Sequence, residues 1–258
     1  EAIANVNCFI DQYWEYKQTI YDILDRNIKA RIDEKMINEV FPNTIPTFDV
    51  ALAHSYEDHK AKVDFVKDVW YASRKLDGIR CICIFTNGEP KFYSRNGKEF
   101  QTLAKLQSDM KGMFLNIVLD GEICIVDDEG KEDFKGILSE FQKKNHTIKN
   151  PKYLVFDILT LDEFNSKSSK RTLNERHQEL MLMVLRSQFP KSCGMVNQNE
   201  VESEQELDKM AEEAAKLGWE GLILRKDVGY KGKRTNDLLK VKKFKDAEYA
   251  VTGIETGP

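Results

Sequence analysis

The chain has 258 residues, 32% of them charged and 41% hydrophobic, with a formal net charge of -4. A length of this order suffices for one large domain or a domain with an attached segment, and no apolar run reaches the length that a membrane-spanning helix needs. The negative total excludes a surface coated in positive charge but leaves local basic patches open.

Five cysteines occur, at Cys8, Cys81, Cys83, Cys124 and Cys193. Cys81 and Cys83 share one face of a strand pattern, closer together than a zinc-binding pair, so the expectation is a reduced, soluble, intracellular protein of the cytoplasm or nucleus. The chain opens on Glu1 without a signal-peptide pattern, so its ends read as processed.

In chain order, residues 9–40 carry Phe9, Tyr13, Tyr16, Ile20, Ile23, Leu24, Ile28, Ile32, Met36 and Val40 at helical spacing, which predicts one or two amphipathic helices. Pro42 and Pro46 break that pattern and set off an N-terminal helical segment, 1–43. Beyond it, strands are predicted at 69–74, 79–86, 91–95, 117–126, 152–159, 194–197, 221–225, 238–243 and 248–255, and helices at 58–66, 102–111, 132–144, 172–187 and 203–217. Asn87-Gly88 and Asp128-Glu129-Gly130 read as hairpin turns, so neighbouring strands should be antiparallel and the fold class α+β. There is no glycine-rich phosphate loop, so any bound nucleotide must be cradled by side chains.

The centre of the sequence is Lys75-Leu76-Asp77-Gly78-Ile79-Arg80. Asp77-Gly78 is a turn signal between two strand-like runs, and glycine there accepts a positive φ. The expectation is a tight hairpin-like turn with a lysine held at its mouth: either an ordinary solvated lysine or, once its proton is gone, a nucleophile. Further stretches put polar groups on strands or at their ends: Arg95 in Ser94-Arg95-Asn96-Gly97, Glu122 in Asp120-Gly121-Glu122, Phe156 in Tyr153–Leu159, Glu220 ahead of Gly221–Arg225, and Lys240 and Lys242 two apart. Singly, each has a plain structural explanation. Arg95 fits a solvated turn, Phe156 fits a core, Lys240 and Lys242 fit an edge strand, and the two glutamates fit ion pairs, because an unpaired carboxylate in an apolar strand is costly. Together they make a site able to hold a polyphosphate and divalent ions.

The ordered series KLDGIR, SRNG, DGE, YLVFDIL, EGLILR and LKVK resembles the motifs of the covalent nucleotidyltransferases, most closely the ATP-dependent DNA ligases, over roughly residues 49–246. The resemblance implies an adenylation domain at 44–246 built of antiparallel sheets flanked by helices, with 247–258 as the start of an OB-fold domain whose remainder is absent. It implies that Lys75 attacks the α-phosphate of ATP to give a lysyl-AMP intermediate, with Lys240, Lys242 and a bound metal ion favouring the free amine. Arg80 and Glu122 would hold the ribose, Phe156 would stack on adenine, Glu122 and Glu220 would bind Mg²⁺, and Arg95 would grip a phosphate of AMP or of the nick. The AMP would pass to the 5′-phosphate of a nick in double-stranded DNA, which the 3′-hydroxyl then seals. The protein would act as a monomer, away from membranes.

One departure stands beside Lys75. Many of these ligases carry glutamate or glutamine two residues before the lysine to read the adenine amino group, whereas this chain has Ser73, so the reading of the purine is open. An mRNA guanylyltransferase, an RNA ligase and a decayed nucleic-acid-binding domain are the competing assignments. Residues 225–245 carry a local balance of +7, including Lys243 and Lys245, and fit phosphate contact, while 200–217 balance to -5 and fit a solvated helix face.

Overall fold

The computed structural model describes residues 2–25, 34–41, 44–45, 47–125, 132–143, 145–187, 189–242 and 253. Two compact units divide between Thr47 and Phe48. The first contains α1 (Ala2–Gln12), α2 (Lys17–Leu24) and α3 (Glu34–Val40), with a 3-10 turn at Trp14–Tyr16. Among the described residues the predicted helical segment thus holds three short helices, the first two separated where the aromatic run at Tyr13–Tyr16 tightens into that turn.

The second unit runs β1 (Leu52–Ser55), α4 (Tyr56–His59), β2 (Trp70–Arg74), β3 (Ile79–Thr86), β4 (Glu89–Ser94), α5 (Ala104–Met110), β5 (Ile117–Cys124), α6 (Phe134–Gln142), β6 (Lys152–Thr160), α7 (Leu161–Asn165), α8 (Leu173–Ser187), β7 (Cys193–Met195), β8 (Asn199–Val201), α9 (Glu204–Lys216), β9 (Leu222–Lys226) and β10 (Arg234–Val241). The strands form two five-stranded sheets, ordered β1-β10-β9-β2-β8 (sheet A) and β4-β3-β5-β6-β7 (sheet B). Pairing is antiparallel except for β1 with β10 and β6 with β7.

Each sheet has its own apolar layer. Cys81, Cys83 and Phe85 alternate along β3 at 0% exposure and pack with Leu106, Ile137 and Leu180 of α5, α6 and α8. On sheet A, Trp70, Ala72, Leu222, Leu224 and Leu239 meet Leu207, Ala211 and Ala214 of α9. That helix follows from its sequence: Ser203 caps it by accepting from Glu206 N, apolar residues recur every three or four positions, and acidic side chains take the other face. The acidic balance of 200–217 is thus a solvated helix face.

The α+β class is as expected, but the setting of Lys75 is not. β2 and β3 do not form a hairpin. β2 lies in sheet A and β3 in sheet B, so Lys75–Gly78 is a crossover between sheets. Nor does Gly78 have a positive φ. Glycine is needed there for space, since a Cβ would lie 2.6 Å from Ile123 O and 2.7 Å from Cys124 Sγ. The Asn87-Gly88 hairpin does form, with φ of 51° and 86° as a two-residue turn between antiparallel strands requires.

Other differences are local. β1 is an edge strand with a register shift between Ala53 and His54 and gives no alternating pattern; β8 is three residues long. The helix expected at 58–66 is one α-turn followed by a 3-10 turn at Lys60–Lys62. α7 went unpredicted although Thr160 and Glu163 form a capping box, a signal legible in the sequence. Of the strand expected at 248–255 only Gly253 is among the described residues, and the turn at 128–130 lies outside them.

Because the clash at Gly78 is with backbone, Gly78→Ala should cost about 1–3 kcal/mol. Urea unfolding should show a lower midpoint with an unchanged slope, and a wild-type midpoint would mean that the sheets part at no cost.

Candidate active site

Register on sheet A explains why residues scattered in sequence share one surface. Tyr71, Arg225 and Leu238 stand in one cross-strand row, and Ser73, Ile223 and Lys240 in the next. Beyond them Lys75 N–H donates to Gly221 O at 2.9 Å, carrying the pairing one step past the end of β2. Side chains two apart on a strand share a face, so Ser73, Lys75, Lys240 and Lys242 line one side. The other side carries the apolar layer against α9.

Sheet B supplies the opposing wall. β5 and β6 shift register where Asp120 pairs with Asp157 and Gly121 with Val155, which leaves Phe156 as an extra residue on β6. A bulge re-aims its side chain, and Phe156 joins Leu76, Cys124 and Val196 instead of the main core. Ala53, Ser73, Arg74, Leu76, Arg80, Glu122, Phe156, Val196, Ile223, Arg225 and Leu238 line a cleft of about 80 Å³. This is below the ~300 Å³ at which small-molecule sites begin, so a nucleotide would have to part these side chains.

The charges are tightly partnered. Glu220 bonds Lys75 Nζ through Oε2 and Lys242 Nζ through Oε1. Burial pushes the Glu220 carboxyl up, but Lys242 and Lys75 more than reverse this and hold it below the usual carboxylate range. Arg80 grips Asp120 with Nε to Oδ1 at 2.9 Å and Nη2 to Oδ2 at 2.6 Å, and donates from Nη1 to Ala51 O at 2.7 Å. Thus Arg80 lines the cleft while its donors are engaged by protein, an arrangement that sequence reading did not foresee. Glu122 Oε2 accepts from Gly78 N at 3.2 Å, and burial pushes its carboxyl up to about 7 against the pull of Lys75 and Arg80.

Several residues here were not singled out from sequence. Arg225 Cζ lies 4.5 Å and Arg80 Cζ 5.5 Å from the centroid of the Phe156 ring, within cation–π range. Asp157, 4% exposed, takes a fork from Arg176 at 2.7 and 3.1 Å and a third contact from Arg225 at 3.5 Å. Glu132 Oε2 accepts from Asp77 N at 2.9 Å and pairs with Arg74 Nη2 at 3.1 Å, tying the chain on both sides of Lys75. The acid-in-strand pattern marked Asp120 and Asp157, but their arginine partners lie far away in sequence and only the fold joins them.

Arg95 is not in this cleft. It is exposed on the turn after β4 and lines a second cleft of about 290 Å³ with Phe48, Asp49, Val50, Leu52, Asn96, Gly232, Lys233 and Arg234. Lys243 and Lys245 lie outside the described residues.

Among the described residues no cluster of three or more His, Cys, Asp or Glu side chains could cage a metal ion. Magnesium sites use one or two carboxylates plus substrate phosphates. Glu122 and Glu220 fit that donor set, being close enough for the charge of Glu220 to act on Glu122.

The raised Glu122 gives a signed pH dependence. Between its unfolded value, near 4.5, and about 7 the folded chain binds more protons than the unfolded one, so stability falls as pH rises through that window. Gln accepts the Gly78 N–H equally well. Glu122→Gln should therefore melt a few degrees above the wild type at pH 8 and together with it at pH 4. Equal melting temperatures at both pH values would show that Glu122 is not held neutral by burial.

Residues 50–242 match the family described as ATP dependent DNA ligase domain. The multifunctional non-homologous end joining protein LigD of Pseudomonas aeruginosa is 29% identical over 190 residues, covering 71% of this chain and 21% of that protein. A DNA ligase of African swine fever virus is 26% identical over 197 residues, covering 71% of this chain and 44% of that one. Among solved structures, Pmar-Lig_PreS3 superposes with a TM-score of 0.73 at 24% identity, over 87% of this chain and 54% of that one, a likeness of fold. This chain thus spans less than half the length of these two relatives. With the matched segment running from the strand before Lys75 to Lys242 on Glu220, the chain belongs to the ATP-dependent DNA ligase domain family.

Proposed function

We propose that this chain is the adenylating core of an ATP-dependent DNA ligase, with Lys75 as the nucleophile. What carries the reading is the contact of Lys75 with Glu220 and of Glu220 with Lys242, at the mouth of a cleft that holds the Phe156 ring. A lysine amine attacks only after losing a proton, and the proton Lys75 must lose is already bonded to Glu220 Oε2. Attack on the α-phosphorus of ATP forms the N–P bond of lysyl-AMP and breaks the P–O bond to pyrophosphate. Lys240 and Lys242 face the same side as Lys75 and stabilise charge gathering on phosphate oxygens. Phe156 offers a ring for the base, and Arg80, locked by Asp120, presents a fixed positive edge beside Glu122. Mg²⁺, held by Glu122 and Glu220 together with substrate phosphates, would add charge neutralisation when bound.

In the second half of the reaction AMP moves to the 5′-phosphate of a nick in duplex DNA and the 3′-hydroxyl displaces it. Arg95, Lys233 and Arg234 around the second cleft suit a phosphate backbone, and Lys243 and Lys245 extend the basic sequence. Contacts of that kind weaken steeply with salt.

With α-labelled ATP the wild type should become labelled through a bond that is acid-labile and alkali-stable. Lys75→Ala should lose labelling by more than about a thousandfold, with an unchanged melting temperature, since it removes the nucleophile but little packing. A mutant that labels as the wild type does would sink the assignment. Glu220→Ala should impair the metal-dependent rate more than ATP binding; lost thermal stability with unchanged metal dependence would make Glu220 a structural ion-pair residue only.

A further inference from the structure

We infer that Gln198 reads the base: its carboxamide hydrogen-bonds the N1 and 6-amino edge of adenine in the cleft. The inference rests on the adenylation reading above and names a specificity-determining residue for it.

Three observations converge. First, β8 pairs with β2 through Trp70 with Val201, Tyr71 with Glu200 and Ala72 with Asn199. One step further along the same antiparallel register, Gln198 falls opposite Ser73 and extends the row of Ser73, Ile223 and Lys240. Alternation continued from Val201 past the start of β8 puts Gln198 on the side of the cleft, next to its lining residue Ser73, since Trp70, Ala72 and Val201 occupy the layer against α9. Second, Val196, two residues earlier, lines the cleft and is pinned there by its N–H to Val155 O at 2.8 Å. Third, Nε2 and Oε1 of Gln198 are both buried and have no hydrogen-bond partner.

The third observation asks for a ligand. A buried amide with neither group satisfied is costly, so proteins seldom keep one without use. One carboxamide offers a donor beside an acceptor, and the adenine edge offers an acceptor, N1, beside a donor, the 6-amino group. Ser73, 3% exposed and in the same row, has a hydroxyl too short to span both. An amide turned end for end would also meet the O6 and N1–H of guanine, so the discriminating comparison is deletion of the 6-amino group.

The experiment measures self-labelling, as kcat/KM, for ATP and for purine riboside 5′-triphosphate, in the wild type, Gln198→Leu and Gln198→Met, with melting temperatures recorded alongside. The wild type should prefer ATP by about tenfold, the loss expected for one unpaired buried amide group. Gln198→Leu removes the partner of N1 as well as that of the 6-amino group, so it should lose rate with both nucleotides, about tenfold more with ATP than with the analogue, and show no preference. Gln198→Met keeps the length but neither amide group, should also lose the preference, and decides the matter if the leucine variant does not fold. If ATP labels all three proteins with the same preference, or the wild type shows none, Gln198 is not the reader and Lys75 chemistry stands. If neither nucleotide labels the wild type, the adenylation reading fails and takes this inference with it.

Discussion

The site depends on the passage of the chain between sheets at Lys75–Gly78. Lys75 N–H is still bonded to Gly221 O on sheet A, while three residues later Gly78 lies against the backbone of Ile123 on sheet B. The lysine is therefore fixed by two bodies at once, its main chain belonging to one and its continuation to the other. Gly78 has no side chain because the second contact is with backbone, which has nowhere to move. Glu132 adds a third hold, gathering Asp77 N and Arg74 from either side of Lys75.

Around that crossover the buried charges are balanced locally. Arg80 is spent on Asp120, and Arg176 and Arg225 converge on Asp157. Pairs of this kind contribute little net stability, because desolvation cancels much of the attraction, but breaking one leaves a costly orphan. Their effect is geometric: the guanidinium groups of Arg80 and Arg225 are set at defined distances from the Phe156 ring, whose own direction comes from a bulge. Glu122 differs in that it has neighbours but no forked partner, and burial dominates its titration.

Much of this was legible in the chain. The runs at 79–86, 117–126 and 152–159 fall on β3, β5 and β6 because apolar, β-branched residues in short stretches have few other ways to be buried, and the spacing of Lys240 and Lys242 gave their common face. What could not be read was which strands pair. A strand, an Asp-Gly turn and a second strand describe a hairpin and a sheet-to-sheet crossover equally well, so the surroundings of Lys75 were misjudged. Phe156 is similar: no residue of Tyr153–Leu159 announces a bulge, and the shift appears only in register with β5. The partners of Asp120 and Asp157, and the satisfaction of Gln198, are facts of tertiary structure.

The interleaving of the two sheets bears on how the protein is made. Sheet B uses β3 to β7, a continuous stretch from Ile79 to Met195, whereas sheet A joins β1 and β2 to β8, β9 and β10, with Leu52 paired to Arg234. During synthesis the first sheet has all its strands in hand long before the second. β1 and β2 must wait with unpaired edges until residues 199–241, which carry β8, β9 and β10, arrive, and long-range pairing of this kind is slow. Lys75 follows β2 on the late sheet. A ribosome-bound or proteolytically shortened chain ending within α9 would hold every strand of sheet B and no Glu220, so Lys75 acquires its partner only when the later residues are present.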